Sequence, residues 1–225
     1  MANTIAARVR HFDEFVEKSI AEGLEQVVIL GAGYDTRAYR IEGLKNVNVF
    51  EVDHPGTQSV KIEKIKEIFG SLPGHVEYVP VDLEEDILCE SLSKKGYDPS
   101  KKTLFLMEGL TMYILPETVD EILSFIVENS GKGSAVIFDY ASRTANFDKH
   151  SDQKAVKNLT NFMEKSEESM KFSLMEGTAE EFLSMIGFSD VVDVTSEDYK
   201  KAYFHGKNKD REVFSLMSFV HAVVK

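Results

Sequence analysis

The sequence is short of cysteine, of proline and of long apolar runs. Its 225 residues include one cysteine, Cys89, so an internal disulfide is excluded and a reducing compartment is favoured. Five prolines and fourteen glycines form no linker-like stretch, and we therefore treat residues 1–225 as one domain. No apolar run is long enough to span a bilayer and no signal peptide is recognisable, so we expect a cytoplasmic location.

Basic residues are also in short supply. The chain has 26 Lys and Arg against 38 Asp and Glu, which gives a formal net charge of −12. A field of this sign repels nucleic acid and anionic membranes, because both carry dense negative charge. Short basic pairs such as Lys94-Lys95 do not offset it. We therefore expect neither nucleic acid nor a membrane surface among the partners.

A glycine turn follows the first apolar run. The run Val27 to Leu30 is typical of a buried strand, and Gly31 to Gly33 follow at once. At the carboxyl end of the first strand of an open α/β sheet, glycines let the backbone approach a nucleotide-like ligand. Asp53 lies twenty residues after Gly33, at the end of a second apolar run, where a carboxylate can grip a ribose. The pattern predicts a nucleoside site that includes Gly31, Gly33 and Asp53.

The turn is not typical of a dinucleotide site. It reads Gly-Ala-Gly-Tyr-Asp-Thr, so the third glycine of the dinucleotide fingerprint is missing. Asp35 or Thr36 is placed to cap the helix N-terminus that would otherwise receive a pyrophosphate. An adenosine without phosphates, such as that of S-adenosylmethionine, suits this turn better, and an NAD-dependent oxidoreductase is disfavoured. From the turn alone, a glycine turn in some other α/β domain stays open.

Two more strand ends carry carboxylates. Asp82 and Leu83 follow the third apolar run, where Asp82 can accept from an adenine amino group while Leu83 covers a ring face. Alternatively, Asp82 caps a helix predicted over 84–95. Glu108 follows the fourth run, Thr103 to Met107, beside a glycine. Burying an unpaired charge is costly, so function explains Glu108 better than packing does.

Four segments occur in the order LGAGYDTRAYR, FEVDHP, VPVDLEED and FLMEGLTMYILPE. Together they resemble the leucine carboxyl methyltransferase family, which includes the tetracenomycin-type polyketide O-methyltransferases, and the likeness runs from about Arg8 to Ile186. The resemblance implies an α/β, Rossmann-like class I methyltransferase fold. Its mostly parallel seven-stranded sheet has the order 3-2-1-4-5-7-6 and an antiparallel last strand. Pro80 independently marks the third strand as an edge strand, because proline cannot donate to a central ladder.

The resemblance also assigns roles to individual residues. An arginine before the first strand, here Arg8, holds the carboxylate of the cofactor S-adenosylmethionine, and Glu108 faces its methionine portion. Asp82 and Leu83 lie on the adenine. Tyr113, near the mouth of the pocket, is a candidate for catalysis, although an aromatic residue in such an apolar segment is more often part of the core.

The implied activity is S-adenosylmethionine-dependent O-methyl transfer. The expected acceptor is a carboxylate of a small, polyketide-like molecule or of a peptide C-terminus. A carboxylate is favoured because it is ionised at neutral pH, and no motif that should face the methyl group places a histidine beside a carboxylate. Asp139, at the end of the fifth apolar run, is expected to line the acceptor side. The alternative is a protein that binds S-adenosylmethionine without transferring its methyl group.

The cover of the pocket is expected to differ from that of many family members. About twenty-five residues precede the first strand, fewer than many members have there. We expect a helical segment of about 143–172, or the second subunit of a homodimer, to supply the cover. Asp148, His150 and Asp152 in this segment have no partner cluster elsewhere in the sequence, so we predict a solvated helix start there and no metal site.

Two local patterns lie near the end of the chain. Thr178 to Glu181 reads as a capping box ahead of a short helix. The charged and aromatic segment Ser196 to Arg211 is predicted to be a loop between the last two strands.

Overall fold

A mostly parallel β-sheet with helices on both faces forms the protein in the computed structural model, which describes residues 2–143 and 170–225. The greater part of the predicted helical cover, 144–169, lies outside the described residues, and so do Asp148, His150 and Asp152. Within the described residues, no helix is long and apolar enough to cross a membrane.

The sheet of the described residues has eight strands. They are β1 (Gln26–Leu30), β2 (Asn48–Asp53), β3 (Val76–Pro80), β4 (Thr103–Met107), β5 (Ala135–Arg143), β6 (Leu174–Met175), β7 (Phe188–Val194) and β8 (Met217–Val224). Seven of them lie in the order β3-β2-β1-β4-β5-β8-β7, and β8 is antiparallel to both of its neighbours. The predicted order and the antiparallel last strand are confirmed. The two-residue β6, which pairs with the end of β5, was not predicted.

Strand β1 is buried on both faces. Val28 and Leu30 pack into the core on one side of the sheet, and Val27 and Ile29 pack into the core on the other, because successive side chains of a strand point to opposite faces. This double burial explains the continuous apolar run. Strand β3 lies at one edge of the sheet and ends at Pro80, as predicted.

Helices cover both faces. They are α1 (Ala2–Ala21), α2 (Arg37–Arg40), α3 (Pro55–Phe69), α4 (Leu88–Lys94), α5 (Pro116–Glu128), α6 (Ala179–Ile186) and α7 (Ser196–Tyr203). Short 3-10 turns span 42–46, 111–113 and 206–208. Helices α4, α5 and α6 contribute buried side chains to the core on the Leu30 side, and α1, α2 and α7 contribute to the core on the Ile29 side.

Two of the local predictions are wrong. Ser196 to Arg211 is not a loop throughout, because it begins with α7. A capping box starts this helix: Asp198 Oδ2 accepts from the backbone N–H of Thr195 at 2.9 Å, and Thr195 Oγ1 accepts from that of Asp198. Thr178, by contrast, makes no side-chain cap for α6, because its hydroxyl donates to the carbonyl of Met175 at 2.8 Å.

Candidate functional site

Two cavities lie next to each other at the carboxyl ends of β1 to β4, and Gly31 lines both. The larger, here called the α1 cavity, has a volume of about 310 Å³ and is lined by Val9 of α1, the segment Gly31 to Arg37, and Glu108. The smaller, the β3 cavity, has a volume of about 180 Å³. Its lining includes Asp53, Asp82, Leu83, Leu110 and Tyr113. Ligands of open α/β sheets bind at this edge of the sheet.

The glycine turn between the cavities depends on backbone shape. Gly31 has φ +63° and Gly33 has φ +41°, a region that side chains other than glycine enter at a cost. A Cβ on Gly31 would lie 2.9 Å from Leu110 Cδ1. A Cβ on Gly33 would meet only the carbonyl oxygen of Gly31, at 3.8 Å, so the space beside Gly33 belongs to the α1 cavity.

Asp53 ties the end of β2 to this turn. Its Oδ2 accepts from the backbone N–H of Gly33, and its Oδ1 accepts from that of His54 at 2.7 Å. Each oxygen keeps a lone pair for a further donor. The structure therefore brings together Gly33 and Asp53, the two positions that the sequence separates by twenty residues, and leaves the carboxylate able to accept from a hydroxyl.

Asp82 and Leu83 follow β3 and line the β3 cavity, together with Gly31 after β1 and Asp53 at the end of β2. Asp82 Oδ1 accepts from the backbone N–H of Glu84 at 3.0 Å, and Asp82 N–H donates to Asp86 Oδ2 at 2.8 Å. The helix predicted over 84–95 begins only at Leu88. The alternative in which Asp82 caps that helix is thus wrong, since Asp82 closes a separate turn at the cavity.

Arg8 and Glu108 meet beside the α1 cavity. Arg8 Nε donates to Glu108 Oε1 at 2.9 Å, and Arg8 Nη1 donates to Asp139 Oδ2 at 2.6 Å. Asp139 is fully buried, and its Oδ1 accepts from the backbone N–H of Gly109 at 2.6 Å. Asp139 was expected to line the acceptor side; it is not among the residues that line these two cavities, and it binds Arg8. Burial lowers the pKa of Arg8, but Asp139 and Glu108 outweigh it, so the pKa is raised above its ordinary value.

A second arginine, Arg37, reaches Glu108 from the turn. Arg37 Nη1 lies 2.6 Å from Glu108 Oε2 and 2.5 Å from Asp35 Oδ2, while Nε donates to Asp13 Oδ1 at 2.7 Å. Arg40 binds both oxygens of Asp13 from the solvent side, at 2.7 Å each. This group of side chains was not predicted from the sequence. The signal was present in the segment DTRAYR, but a single sequence does not reveal that Asp13 of α1 faces it.

Asp35, not Thr36, supplies the side chain that starts α2. Thr36 occupies the N-cap position without a side-chain hydrogen bond, whereas Asp35 Oδ1 accepts from the backbone N–H of Arg37 at 2.7 Å. A carboxylate therefore sits where a dinucleotide would need to place a phosphate. This agrees with the sequence argument against a dinucleotide.

Tyr113 borders the β3 cavity. It is half-buried and ends the 3-10 turn 111–113. Tyr113 therefore stays a candidate for contact with a ligand. Among residues 2–143 and 170–225, no group of three or more His, Cys, Asp and Glu side chains is placed to hold a metal ion.

A buried ion pair supports the turn from inside. Lys61 of α3 lies 2.8 Å from Glu51 Oε2 of β2, and both side chains are almost fully buried. Lys61 Nζ also donates to the carbonyl of Ala32, at 3.3 Å. Burial raises the pKa of Glu51, and Lys61 opposes this rise. The pair thus connects β2 and α3 to the glycine turn.

Comparison with known proteins finds relatives that are named as methyltransferases. A Bacillus subtilis (strain 168) protein named "Putative S-adenosyl-L-methionine-dependent methyltransferase YktD" is 29% identical over 226 residues, which cover 100% of this chain and 74% of that protein. A Mycobacterium avium (strain 104) protein named "Putative S-adenosyl-L-methionine-dependent methyltransferase" is 35% identical over 160 residues, 71% of this chain and 51% of that protein. The chain thus matches about half the length of the mycobacterial relative.

A solved structure shows the same fold. The crystal structure of a protein from Thermobifida fusca YX, described as a putative methyltransferase, superposes with a TM-score of 0.69 at 14% identity and covers 99% of this chain and 82% of that one. The profile of the leucine carboxyl methyltransferase family matches residues 1–127, which is more than half of the sequence. The chain therefore belongs to the leucine carboxyl methyltransferase family.

Proposed function

We propose that the chain is an S-adenosylmethionine-dependent methyltransferase that binds the adenosine in the β3 cavity and the methionine tail in the α1 cavity. The observation that carries this proposal is the position of Gly31, which lines both cavities between a carboxylate, Asp53, and an Arg8–Glu108 pair. Family membership and the names of the two relatives support the same reaction.

The residues of the two cavities fit the cofactor. In the β3 cavity, Asp53 accepts from ribose hydroxyls, and Leu83 and Leu110 offer apolar surface to the adenine ring. Beside the α1 cavity, Arg8 can bind the tail carboxylate and Glu108 the tail ammonium. At Gly33 the missing side chain leaves room that a Cβ would fill.

The charges of the tail region also fit. Three guanidiniums face four carboxylates, so the cluster carries one negative charge in excess. Its members are Arg8, Arg37, Arg40, Asp13, Asp35, Glu108 and Asp139. A zwitterionic tail leaves this balance unchanged, and the excess negative charge suits a cationic sulfonium. When bound, S-adenosylmethionine supplies a methyl group activated by that sulfonium.

We propose further that the acceptor is a carboxylate of a small molecule or of a peptide C-terminus. A carboxylate, with a pKa of about 4, needs no general base at neutral pH, whereas a phenol near 10 does. Among the described residues, His54 is the only histidine that borders either cavity, and its Nδ1 is engaged by the backbone N–H of Gly56 at 3.2 Å. The protein's task is then to hold the reactants in line and to exclude water.

Labelled methyl transfer tests the proposal. The purified chain is incubated with methyl-labelled S-adenosylmethionine and metabolite extracts or peptides with free C-termini, and Asp53→Ala serves as the binding-site control. We expect label transfer by the wild type only, and release of the label as volatile methanol in mild alkali, because methyl esters hydrolyse there. Label that stays non-volatile would contradict the carboxylate acceptor and leave a methyl ether or N-methyl product. A protein that binds the cofactor without transfer gains no support from the relatives, which are named as methyltransferases.

A further inference from the structure

Arg37 is buried in a place where a charge is costly. It is the first residue of α2, directly after the glycine turn, and its side chain is only 4% exposed. Arginine is almost never buried to this degree unless it is paired, because the charged group loses its hydration. The surroundings of Arg37 must therefore replace that hydration.

Three parts of the fold hold the guanidinium. Helix α1 supplies Asp13 and, at 3.4 Å, the carbonyl of Val9, and the turn supplies Asp35. The end of β4 supplies Glu108, whose Oε2 lies 2.6 Å from Arg37 Nη1. Asp35, Glu108 and Asp13 outweigh the effect of burial, so the pKa of Arg37 is raised above its ordinary value. Arg37 is thus a charged and fixed point in the wall of the α1 cavity.

Glu108 is shared between two arginines. Its Oε1 accepts from Arg8 Nε at 2.9 Å, whereas its Oε2 forms an ion pair with Arg37 Nη1 that is not aligned as a hydrogen bond. An ammonium that approaches Glu108 binds either at a free lone pair of the carboxylate or in place of one of the two arginines. Arg8 gains a new partner when a tail carboxylate arrives and keeps Asp139 at 2.6 Å, whereas Arg37 keeps its bonds to the turn and to α1. If the ammonium replaces one of the arginines, it therefore replaces Arg8 at Oε1 of Glu108.

We propose that Arg37 is a positioning residue for the zwitterionic tail, which holds Glu108 through Oε2 so that Oε1 is presented to the ammonium. This inference rests on the proposed function and deepens it. Without Arg37, both oxygens of Glu108 turn to Arg8, which occupies the guanidinium that the tail carboxylate needs. Binding of the tail carboxylate by Arg8 and of the tail ammonium by Glu108 then weaken together, while the adenosine contacts in the β3 cavity do not change.

Calorimetric titration with two ligands tests the role. S-adenosylhomocysteine carries the amino-acid tail, and 5′-methylthioadenosine lacks it. We expect Arg37→Met to weaken S-adenosylhomocysteine by about 10- to 100-fold, the usual worth of hydrogen bonds to a charged group, and to change 5′-methylthioadenosine by less than about 2-fold. Arg37→Lys keeps the charge but not the fork that reaches three carboxylates, so it shows the same selective loss and serves if Arg37→Met does not fold.

The matched control is Arg10→Met. Arg10 lies on the exposed side of α1 and pairs with Glu14 at 2.8 Å, outside both cavities. It should leave both affinities unchanged. Equal losses of the two ligands in the folded Arg37 variants would overturn the inference, because Arg37 would then act through the fold of the turn, and so would an unchanged affinity for S-adenosylhomocysteine. A wild-type chain that binds neither ligand would instead contradict the proposed function itself.

Discussion

Gly33 combines a positive φ with open space where a side chain would be. Its φ is +41°, and a Cβ there would point into the room beside the turn. Gly70 provides a comparison, because it ends α3 with φ +78° and a Cβ there would meet nothing within 4 Å. The two glycines share a backbone requirement, but only Gly33 lines a cavity.

We predict that Gly33→Val and Gly70→Val lose stability alike and differ in binding. Each should lower the free energy of unfolding by about 1–2 kcal/mol, the cost of a left-handed conformation for a residue with a Cβ. Only Gly33→Val should lose S-adenosylhomocysteine, because the new side chain occupies the ligand's space. Urea unfolding and calorimetry measure the two quantities. Equal affinities in the two variants would show that the space at Gly33 is not used.

Residues differ in how far a sequence reveals their partners. Asp53 and Gly33 could be paired because each ends a recognisable strand, and parallel strands bring their carboxyl ends to the same edge. Arg37 could not be paired, because nothing in the helix pattern of α1 singles out Asp13 and because Glu108 follows a distant strand. The contact of Asp139 with Arg8 could not be predicted either, although the end of its strand was recognisable.

Helix α1 contacts both the candidate site and strand β8. Arg8 lies in its first half, and its His11 packs on Phe219 of β8 with ring centres 5.6 Å apart. His221 of β8 packs on Phe15, at 4.4 Å between ring centres. Burial lowers the pKa of His221 to about 4 and also lowers the pKa of His11. The packing of α1 therefore favours neutral histidines.

This packing predicts a loss of stability in acid. The unfolded chain takes up a proton on His221 near pH 6.5, whereas the folded chain does so only near pH 4. The contribution of neutral His221 to the free energy of unfolding is thus fully present above about pH 6.5. It falls as the pH decreases toward 4, because the unfolded state binds more protons there. Near His221, His11 and Lys18 oppose protonation, while Glu14 favours the protonation of His11.

The comparison variant for this prediction is His221→Leu. It places an apolar side chain at this packed position and removes the titrating group. We expect the difference between the free energies of unfolding at pH 7.5 and pH 5 to be smaller in the variant than in the wild type. Urea titrations at the two pH values give both numbers. The same pH dependence in both proteins would mean that other groups account for the acid sensitivity.

Elements with a clear pattern of apolar residues could be predicted from the sequence, and elements without such a pattern could not. Strands β1 and β4 bury every residue of a continuous apolar run, so the sequence predicts their bounds to within one residue. Helix α7 was missed because Tyr199 is its one buried residue, and a charged surface surrounds it. Strand β6 was missed because two residues carry no pattern.

For the molecule as a whole, the sheet order was predictable through the resemblance to a family, and Pro80 supported it independently. The acceptor could not be predicted, because no motif of this chain is specific to one substrate. The described residues also leave out 144–169, the greater part of the segment predicted to cover the pocket. The net charge of −12 agrees with a cationic cofactor in preference to an anionic one.

Whether Asp53 binds the ribose of the cofactor can be measured by calorimetric titration of S-adenosylhomocysteine into the wild type and Asp53→Ala, with Asp120→Ala on the exposed face of α5 as the control. We expect one site per chain in the wild type and in Asp120→Ala. In Asp53→Ala we expect the binding free energy to fall by about 1.5–3 kcal/mol, because charged hydrogen bonds to the ribose are removed. Thermal unfolding of the three proteins shows whether the turn stays folded. A wild type that does not bind, or a folded Asp53→Ala with wild-type affinity, would contradict the assignment of this site.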